Sequence, residues 1–572
     1  MQLKRREVTG KLLQQKTQLD PLIARVFAAR GINSEAELQC DLRLLHPISQ
    51  LLNVEKGAAL IADAMYKQQQ ILVIGDFDAD GATSTALILR AMHLMDYHKI
   101  DFLVPNRFEY GYGLSPEIVE EAERFKPKLI ITVDNGISSF EGVTAAKAKG
   151  WQVLVTDHHL PANTVPDADV IVNPNQEGDE FPSKNLAGVG VSFYVILALK
   201  KALHSRGWFN QQGFEPPNLT SLLDLVALGT VADVVPLDRN NRILVEKGLR
   251  NIRQGHCCLG INALFNIAGK NARRAVASDL GFTCGPRLNA AGRLDDMSVG
   301  IECLLTDDNY IAQQAAAALD TYNRDRREIE EDMKEQALEL LEEMDLASEK
   351  NIPAIFCLYN EDWHQGVIGI LAARIKEQFN RPVIVFADGD EGEIKGSARS
   401  IKGLHIRDLL DEVATQSPLL LNKFGGHAMA AGLSLYKKDL SLFTTKINKI
   451  VLKHCDDETF TEILYSDGEL SEQDFNLTIA EQLRNAAPWG QQFPEPLFDG
   501  SFEIMQKQVL KQKHLRLLLK PEQGQNTISA IAFNTDVINW PEQGENVDLL
   551  YQFDVNEFRG KLSPQLIVRK RI

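Results

Sequence analysis

Apolar positions in this chain come in short dense runs, each closed by polar residues. Ile71-Leu72-Val73-Ile74, Leu129-Ile130-Ile131-Thr132-Val133 and Trp151-Gln152-Val153-Leu154-Val155-Thr156 are three of them. Each is too short for a helix and rich in β-branched side chains, so each reads as a buried strand. Between them the period lengthens, and helices are predicted over 82–95, 115–125 and 139–149. Strand and helix in alternation predict a parallel sheet with helices on both faces. From Asn309 to Met344 there is neither Pro nor Gly, and helix formers dominate. That predicts one long connecting helix, stopped before Asn351-Ile352-Pro353. A second α/β pattern follows, with strands expected at 354–358, 383–387 and 393–397 and helices near 367–378 and 405–413. Past Cys455 come short alternating runs such as His514 to Lys520 and Val547 to Phe553, the pattern of a small β-barrel.

The expected fold class is therefore α/β multidomain. Residues 1–55 form a helical N-terminal segment, and 56–305 a parallel-sheet domain with an extension. Residues 306–350 form the connecting helix, 351–454 a second α/β domain, and 455–572 a β-barrel. A chain of 572 residues is too long for one hydrophobic core. No stretch reaches the ~20 apolar residues of a membrane span. The basic start is followed by no apolar segment of the signal-peptide kind. Seven scattered cysteines without a Cys-x-x-Cys pair predict reduced thiols and a cytoplasmic protein.

Chemistry enters where the strands end. Ile71–Ile74 runs into Gly75-Asp76-Phe77-Asp78-Ala79-Asp80-Gly81. Like charges ~4 Å apart repel by on the order of 1–4 kcal/mol per pair, so three crowded carboxylates call for a bound cation. Oxygen-rich sites of this kind suit Mg²⁺ or Mn²⁺. The second run ends in Asp134-Asn135-Gly136 and the third in Asp157-His158-His159. Ligands of open α/β sheets collect at the carboxyl ends of the strands, and all three strands place acids or histidines there. Asp233, set in the apolar run 221–235, is either a further ligand or a turn residue before Pro236. Two divalent ions so held would activate water and stabilise a leaving oxygen, and Asp134 on the central strand is the natural bridge between them. Asp157 is expected to orient His158 through its second N–H. His159, expected on the opposite face from His158, is the candidate to contact the scissile phosphate or protonate the leaving group.

These segments, with Gly229-Thr230-Val231-Ala232-Asp233, resemble the DHH phosphoesterase superfamily and, within it, the bacterial RecJ family. Further matching segments are Pro105-Asn106-Arg107 with Gly111-Tyr112-Gly113, Gly285-Pro286-Arg287-Leu288-Asn289-Ala290-Ala291-Gly292-Arg293, and Trp363 to Gly369. Gly396-Ser397-Ala398-Arg399-Ser400 and Gly425-Gly426-His427-Ala428-Met429-Ala430-Ala431-Gly432 complete the set. They stand in family order across nearly the whole chain.

The resemblance implies a DHH domain, a DHH-associated domain and an OB-like barrel. It implies a metal-dependent 5′→3′ exonuclease on single-stranded DNA, releasing mononucleotides in DNA repair and recombination. Two cations, Mn²⁺ or Mg²⁺, are implied, one on Asp78 and Asp134, the other on Asp80, Asp134, His158 and Asp233. Many superfamily members carry a histidine where this chain has Ile74, and Asp76 is the expected substitute. Substrate contacts are expected from Arg107, Tyr112, Arg287, Asn289, Arg293, Ser397, Arg399, Gly425, Gly426 and His427. Ser397 and Arg399 would share one strand face as a terminal-phosphate pocket. Gly425-Gly426-His427 would open an Ala-rich helix whose free N–H groups bind an anion. Tyr110 and Tyr112 are either stacking or packing residues.

The net charge of −17 argues against affinity for bulk duplex, so a basic stretch at Lys507, Lys511, Lys513 and Arg516 is expected to hold the strand. A single-strand-binding protein and a helicase are the expected partners of a monomer. Two other readings stay open. One is a DHH phosphodiesterase of short oligoribonucleotides or cyclic dinucleotides, against which the residues past 455 argue. The other is a non-catalytic single-stranded-DNA-binding scaffold, against which the full set of acids argues.

Overall fold

The computed structural model describes residues 1–105, 113–343, 352–455 and 458–572. They form two units, one of Leu3–Asp320 with Tyr465–Ile572, the other of Met1–Gln2 with Thr321–Leu464.

In the first unit five parallel strands stand in the order Ile100–Leu103, Ile71–Ile74, Leu129–Val133, Gln152–Thr156, Val170–Val172. Every side chain of Ile71–Ile74 and Leu129–Val133 is buried, as central strands covered on both faces require. Leu72, Ile74, Ile130, Val153 and Val155 pack against Ile118, Val119, Val143 and Ala146. The three expected helices are present as Ala79–Leu94, Pro116–Ala122 and Phe140–Ala148. The edge strand Ile100–Leu103 carries no strong run of its own, and pairing with Ile71–Ile74 makes it a strand; Val170–Val172 pairs with Gln152–Thr156 at the other edge. The apolar stretch before Asp233 is the helix Leu223–Ala232. The N-terminal segment is less helical than expected, with the strand Gln2–Arg5, one helix at Pro21–Ala28 and several 3-10 turns.

The barrel belongs to the same unit. Phe498–Leu510, His514–Pro521, Ile528–Ala532, Lys561–Arg571 and Asn546–Phe558 close on one another, with one parallel pair between the third and fourth. Phe502, Leu515, Leu517, Leu519, Tyr551 and Leu566 fill it. Trp489 stacks on Phe27 at 5.5 Å and on Phe493 at 5.2 Å, joining the segment before the barrel to the N-terminal helix.

The helix Asn309–Glu343 leads from one unit into the other, as its composition predicts. The second unit holds a mixed sheet in the order Lys423–Gly426, Ala430–Tyr436, Glu393–Arg399, Val383–Asp388, Phe356–Tyr359. The helices Ile368–Phe379, Ile406–Gln416 and Leu440–His454 cover it. Here one expectation fails. Gly425-Gly426-His427 opens no helix; it forms a β-hairpin with Ala430–Tyr436. Gly426 has φ +140°, and the His427 N–H donates to Ala430 O at 2.8 Å. The Ala-rich run gains seven paired positions against Glu393–Arg399, which outweigh its helix propensity.

No helix among the described residues is long and apolar enough to cross a membrane. No disulfide joins any of the seven cysteines.

Candidate metal centre

Parallel register decides where the acids emerge. Ile74 lies opposite Thr132, and Val133 opposite Thr156, so Asp76, Asp134 and Asp157 leave the sheet at one end. Asp134 turns at φ +61°, and the buried Asn135 Nδ2 behind it donates to Ile74 O and Val133 O, tying neighbouring strands together. Asp78 caps the helix Ala79–Leu94 by accepting from the N–H groups of Asp80 and Gly81 at 2.9 and 3.0 Å. Asp80 accepts the N–H groups of Gly188 and Val189 at 2.6 and 3.0 Å, the free amides at the start of the helix Gly188–Ser205. A methyl on Gly188 would fall 2.7 Å from the Asp134 side chain, so only glycine lets this helix approach. Asp233 sits at the C-terminus of Leu223–Ala232, the helix end that repels an anion unless a cation is near.

These elements bring together Asp76, Asp78 and Asp134 in one group and Asp80, His158 and Asp233 in another, with ligand atoms in each group within 4.8 Å of one another. His158 Nε2 lies 3.1 Å from Asp134 Oδ1, 3.5 Å from Asp233 Oδ2 and 4.0 Å from Asp80 Oδ2. Asp134 and His158 therefore link the two groups. Burial, and then the other carboxylates, push Asp76, Asp80 and Asp134 well above the ordinary carboxylate range. Burial also raises Asp233, and it lowers His158, keeping its imidazole neutral and its lone pair available. No Lys or Arg among the described residues reaches Asp76, Asp78, Asp80 or Asp233 within ion-pair distance. The buried His158 Nε2 and Asp233 Oδ2 have no hydrogen-bond partner. A mutually repelling, desolvated set of oxygens with one imidazole fits hard divalent cations.

The roles of the two histidines differ from expectation. The strand ends at Thr156, so strand alternation no longer separates them, and the rings lie 4.5 Å apart. Asp157 does not orient His158 through a ring N–H: its Oδ1 lies 2.7 Å from His159 Nδ1 and also accepts the backbone N–H of both histidines. Burial opposes protonation of His159, but the Asp157 hydrogen bond and charge prevail and push its pKa up to about 9. Burial likewise opposes ionisation of Asp157, yet the hydrogen bond with His159 holds it below the usual range. Asn175 and Asn173 donate to the carbonyls of His158 and His159 at 2.6 and 2.9 Å. Sequence reasoning missed these two asparagines and the Gly188–Val189 amides. The signal was present, since Val170-Ile171-Val172 is one more β-branched run closed by polar residues.

The expected substrate residues separate. Arg107 and Tyr112, with Tyr110, lie outside the described residues. Arg287 is paired: its Nε and Nη2 hold Asp320 at 3.0 and 2.7 Å, and Nη1 donates to Thr283 O. Asn289 Oδ1 accepts the Ala79 N–H at 2.7 Å, so it positions the acidic loop. Arg293 is half-buried near the end of the helix Gly285–Leu294. Ser397 and Arg399 do share a face, with Nη1 3.1 Å from Oγ. Arg399 is half-buried with no carboxylate partner among the described residues, and burial lowers its pKa. A methyl on Gly369 would lie 2.9 Å from both Arg399 Nη2 and Ser397 Oγ, which places the pair beside the first turn of Ile368–Phe379.

Lys507 is also redirected. Its ammonium bonds Glu542 and the carbonyls of Trp540 and Pro541, bracing the barrel. Lys511 and Lys513 are exposed at the turn after Phe498–Leu510, and Arg516 is exposed on the next strand.

Comparison with known proteins agrees with this geometry. Residues 70–230 match the DHH family N-terminal domain, 351–453 the DHHA1 domain, and 466–570 the RecJ OB domain. The single-stranded-DNA-specific exonuclease RecJ of Salmonella typhimurium is 50% identical over 568 residues, covering 99% of this chain and 98% of that one. The crystal structure of RecJ from Thermus thermophilus with Mn²⁺ matches with a TM-score of 0.80 at 27% identity, over 98% of this chain and 77% of that chain. The same protein with Mg²⁺ gives 0.74 at 25% identity, over 98% and 76%. With half of all residues identical over nearly the full length of both chains, the protein belongs to the RecJ family of the DHH superfamily.

Proposed function

We propose that this chain is a two-metal exonuclease that hydrolyses single-stranded DNA from the 5′ end, in DNA repair and recombination. The observation that carries this reading is the pair of ligand groups joined through Asp134 and His158. Asp76, Asp78 and Asp134 would hold one divalent cation; Asp80, Asp134, His158 and Asp233 would hold the other. Bound there, such a pair supplies Lewis acidity to the attacking water and the leaving oxygen. The relatives solved with Mn²⁺ and Mg²⁺ support the choice of ion.

The chain's own residues do the rest. Gly188, Val189 and Asn289 keep the carboxylates in place before any ion arrives, which preorganises the centre. His159, held protonated by Asp157, is placed to bind a non-bridging phosphate oxygen or to give a proton to the leaving oxygen. Arg399 and Ser397 make a site for a terminal 5′ phosphate. Gly425 and Gly432 pair beside Ser397, and a methyl on either would meet nothing within 4 Å, leaving an open floor for a backbone. Lys511, Lys513 and Arg516 on the barrel would hold the strand further along.

Incubation with 5′- and 3′-labelled single strands, with and without Mn²⁺, tests the reading. Mononucleotide release from the 5′ label, abolished by chelation, is the expected result. Release from the 3′ label first, or release that survives chelation, would overturn it.

A further inference from the structure

Phe282 is 79% exposed, although it lies in an ordered and otherwise buried turn. That turn, Leu280–Cys284, is π-helical, a rare geometry that recurs at functional sites. Leu280, Thr283 and Cys284 are buried, so the backbone is held while the ring stands out. The turn is seated on the end of the helix that carries Asp233. A methyl on Gly281 would lie 3.3 Å from Val231 Cγ1, and one on Gly285 would lie 3.1 Å from Ala232 Cβ. Asp233 is the next residue. On its other side Val234 is 63% exposed and held at φ +63°, a conformation that a β-branched residue adopts only under strain. Val234 thus follows Asp233 directly, and Phe282 stands out from a turn seated against the helix that ends at Asp233.

We propose that Phe282 stacks on a nucleobase of the strand lying across the metal centre, with the exposed Val234 as a second apolar contact for that strand. The inference rests on the exonuclease reading above and adds a positioning residue to it. Every base has a π-face, so stacking on an aromatic ring holds a strand without selecting its sequence. An enzyme that removes any nucleotide in turn needs an interaction of that kind. The ring would fix the nucleotide beside the phosphate being cleaved.

The test uses the full-length protein with Mn²⁺ and two 5′-phosphorylated single strands, one ordinary and one built of abasic sites. Phe282→Ala is expected to raise KM for the ordinary strand about tenfold, the usual worth of one stacked base, with little change in kcat. It should leave KM for the abasic strand unchanged, and Phe282→Trp should restore the wild-type KM. The Mn²⁺-dependent rise in melting temperature should be the same in all three proteins. Equal losses on both strands, or no loss on the ordinary one, would overturn the role of Phe282 alone. Failure of the wild-type protein to cleave either strand would overturn the exonuclease reading and this inference with it.

Discussion

Asp134→Asn separates the metal-binding role of this residue from a structural one. Asp134 is 2% exposed, and Asp80, Asp78, Asp76 and Asp233 all raise its pKa after burial does. Without cations its charge therefore opposes folding. Asn keeps the shape, so the close approach of Gly188 is undisturbed. Relief of one like-charge pair at ~4 Å is worth on the order of 1–4 kcal/mol. The metal-free variant should accordingly melt higher than the metal-free wild type. With Mn²⁺ the order should reverse. Ligands that bind only the folded state stabilise it by mass action, and the variant has lost the carboxylate that belongs to one group and lies 3.1 Å from His158 of the other. Loss of a residue that only supports a ligand typically costs about 10–100-fold in affinity or activity. Loss of the shared ligand should exceed that. The assay is thermal melting with EDTA and with a Mn²⁺ titration, together with release from 5′-labelled single strands. A variant that is less stable than wild type in EDTA, or that keeps near-normal turnover at saturating Mn²⁺, would refute the reasoning.

Arg399→Ala should remove the advantage of a 5′-phosphorylated over a 5′-hydroxyl strand by tenfold or more, since a charge-assisted hydrogen bond is worth roughly 1.5–3 kcal/mol; equal losses on both ends would count against a terminal-phosphate pocket. Reversing Lys511, Lys513 and Arg516 to Glu should weaken binding to long strands and flatten the salt dependence by about 0.7 for each phosphate no longer neutralised, read from affinities across a salt series. These substitutions are a better probe than deleting residues 456–572, because that deletion would remove Trp489 and uncover Phe27, on which it stacks. Asp224 is buried and accepts the Cys258 N–H at 2.7 Å, and burial raises its pKa to about 6. The folded state therefore binds its proton more tightly than the unfolded chain does. Its stabilising contribution is present below about pH 4 and is lost as pH rises through 6. Relative to Asp224→Asn, the wild type should lose about 2–3 kcal/mol across that window, measured by denaturant unfolding at several pH values; a flat difference would reject the assignment.

Much of this protein was legible as sequence because its decisive signals are local. A β-branched run closed by acids or histidines is a strand and its ligand-bearing end in one short segment, and Ile71 to Gly81, Leu129 to Gly136 and Trp151 to His159 each carry the whole unit. The Pro- and Gly-free composition of Asn309–Glu343 and the alternation in the barrel are likewise local. Tertiary structure decided whatever depends on a partner distant in the chain. The Ala-rich segment from Ala428 reads as a helix start, yet Ala430–Tyr436 becomes a strand because Glu393–Arg399 offers a full register of hydrogen bonds. Arg287 reads in sequence as a phosphate ligand, and only the fold shows that Asp320, two helices later, pairs with its guanidinium. Asp157 serves His159 because the chain leaves the sheet after Thr156, and no periodicity extends past a strand end. Asp233 looked equally like a turn residue or a ligand, and only the packing of Leu223–Ala232 against the helices Ala79–Leu94 and Gly188–Ser205 brought it within 3.5 Å of His158. Side-chain chemistry and short-range period are properties of the chain, whereas the choice among equally suitable partners is made by packing.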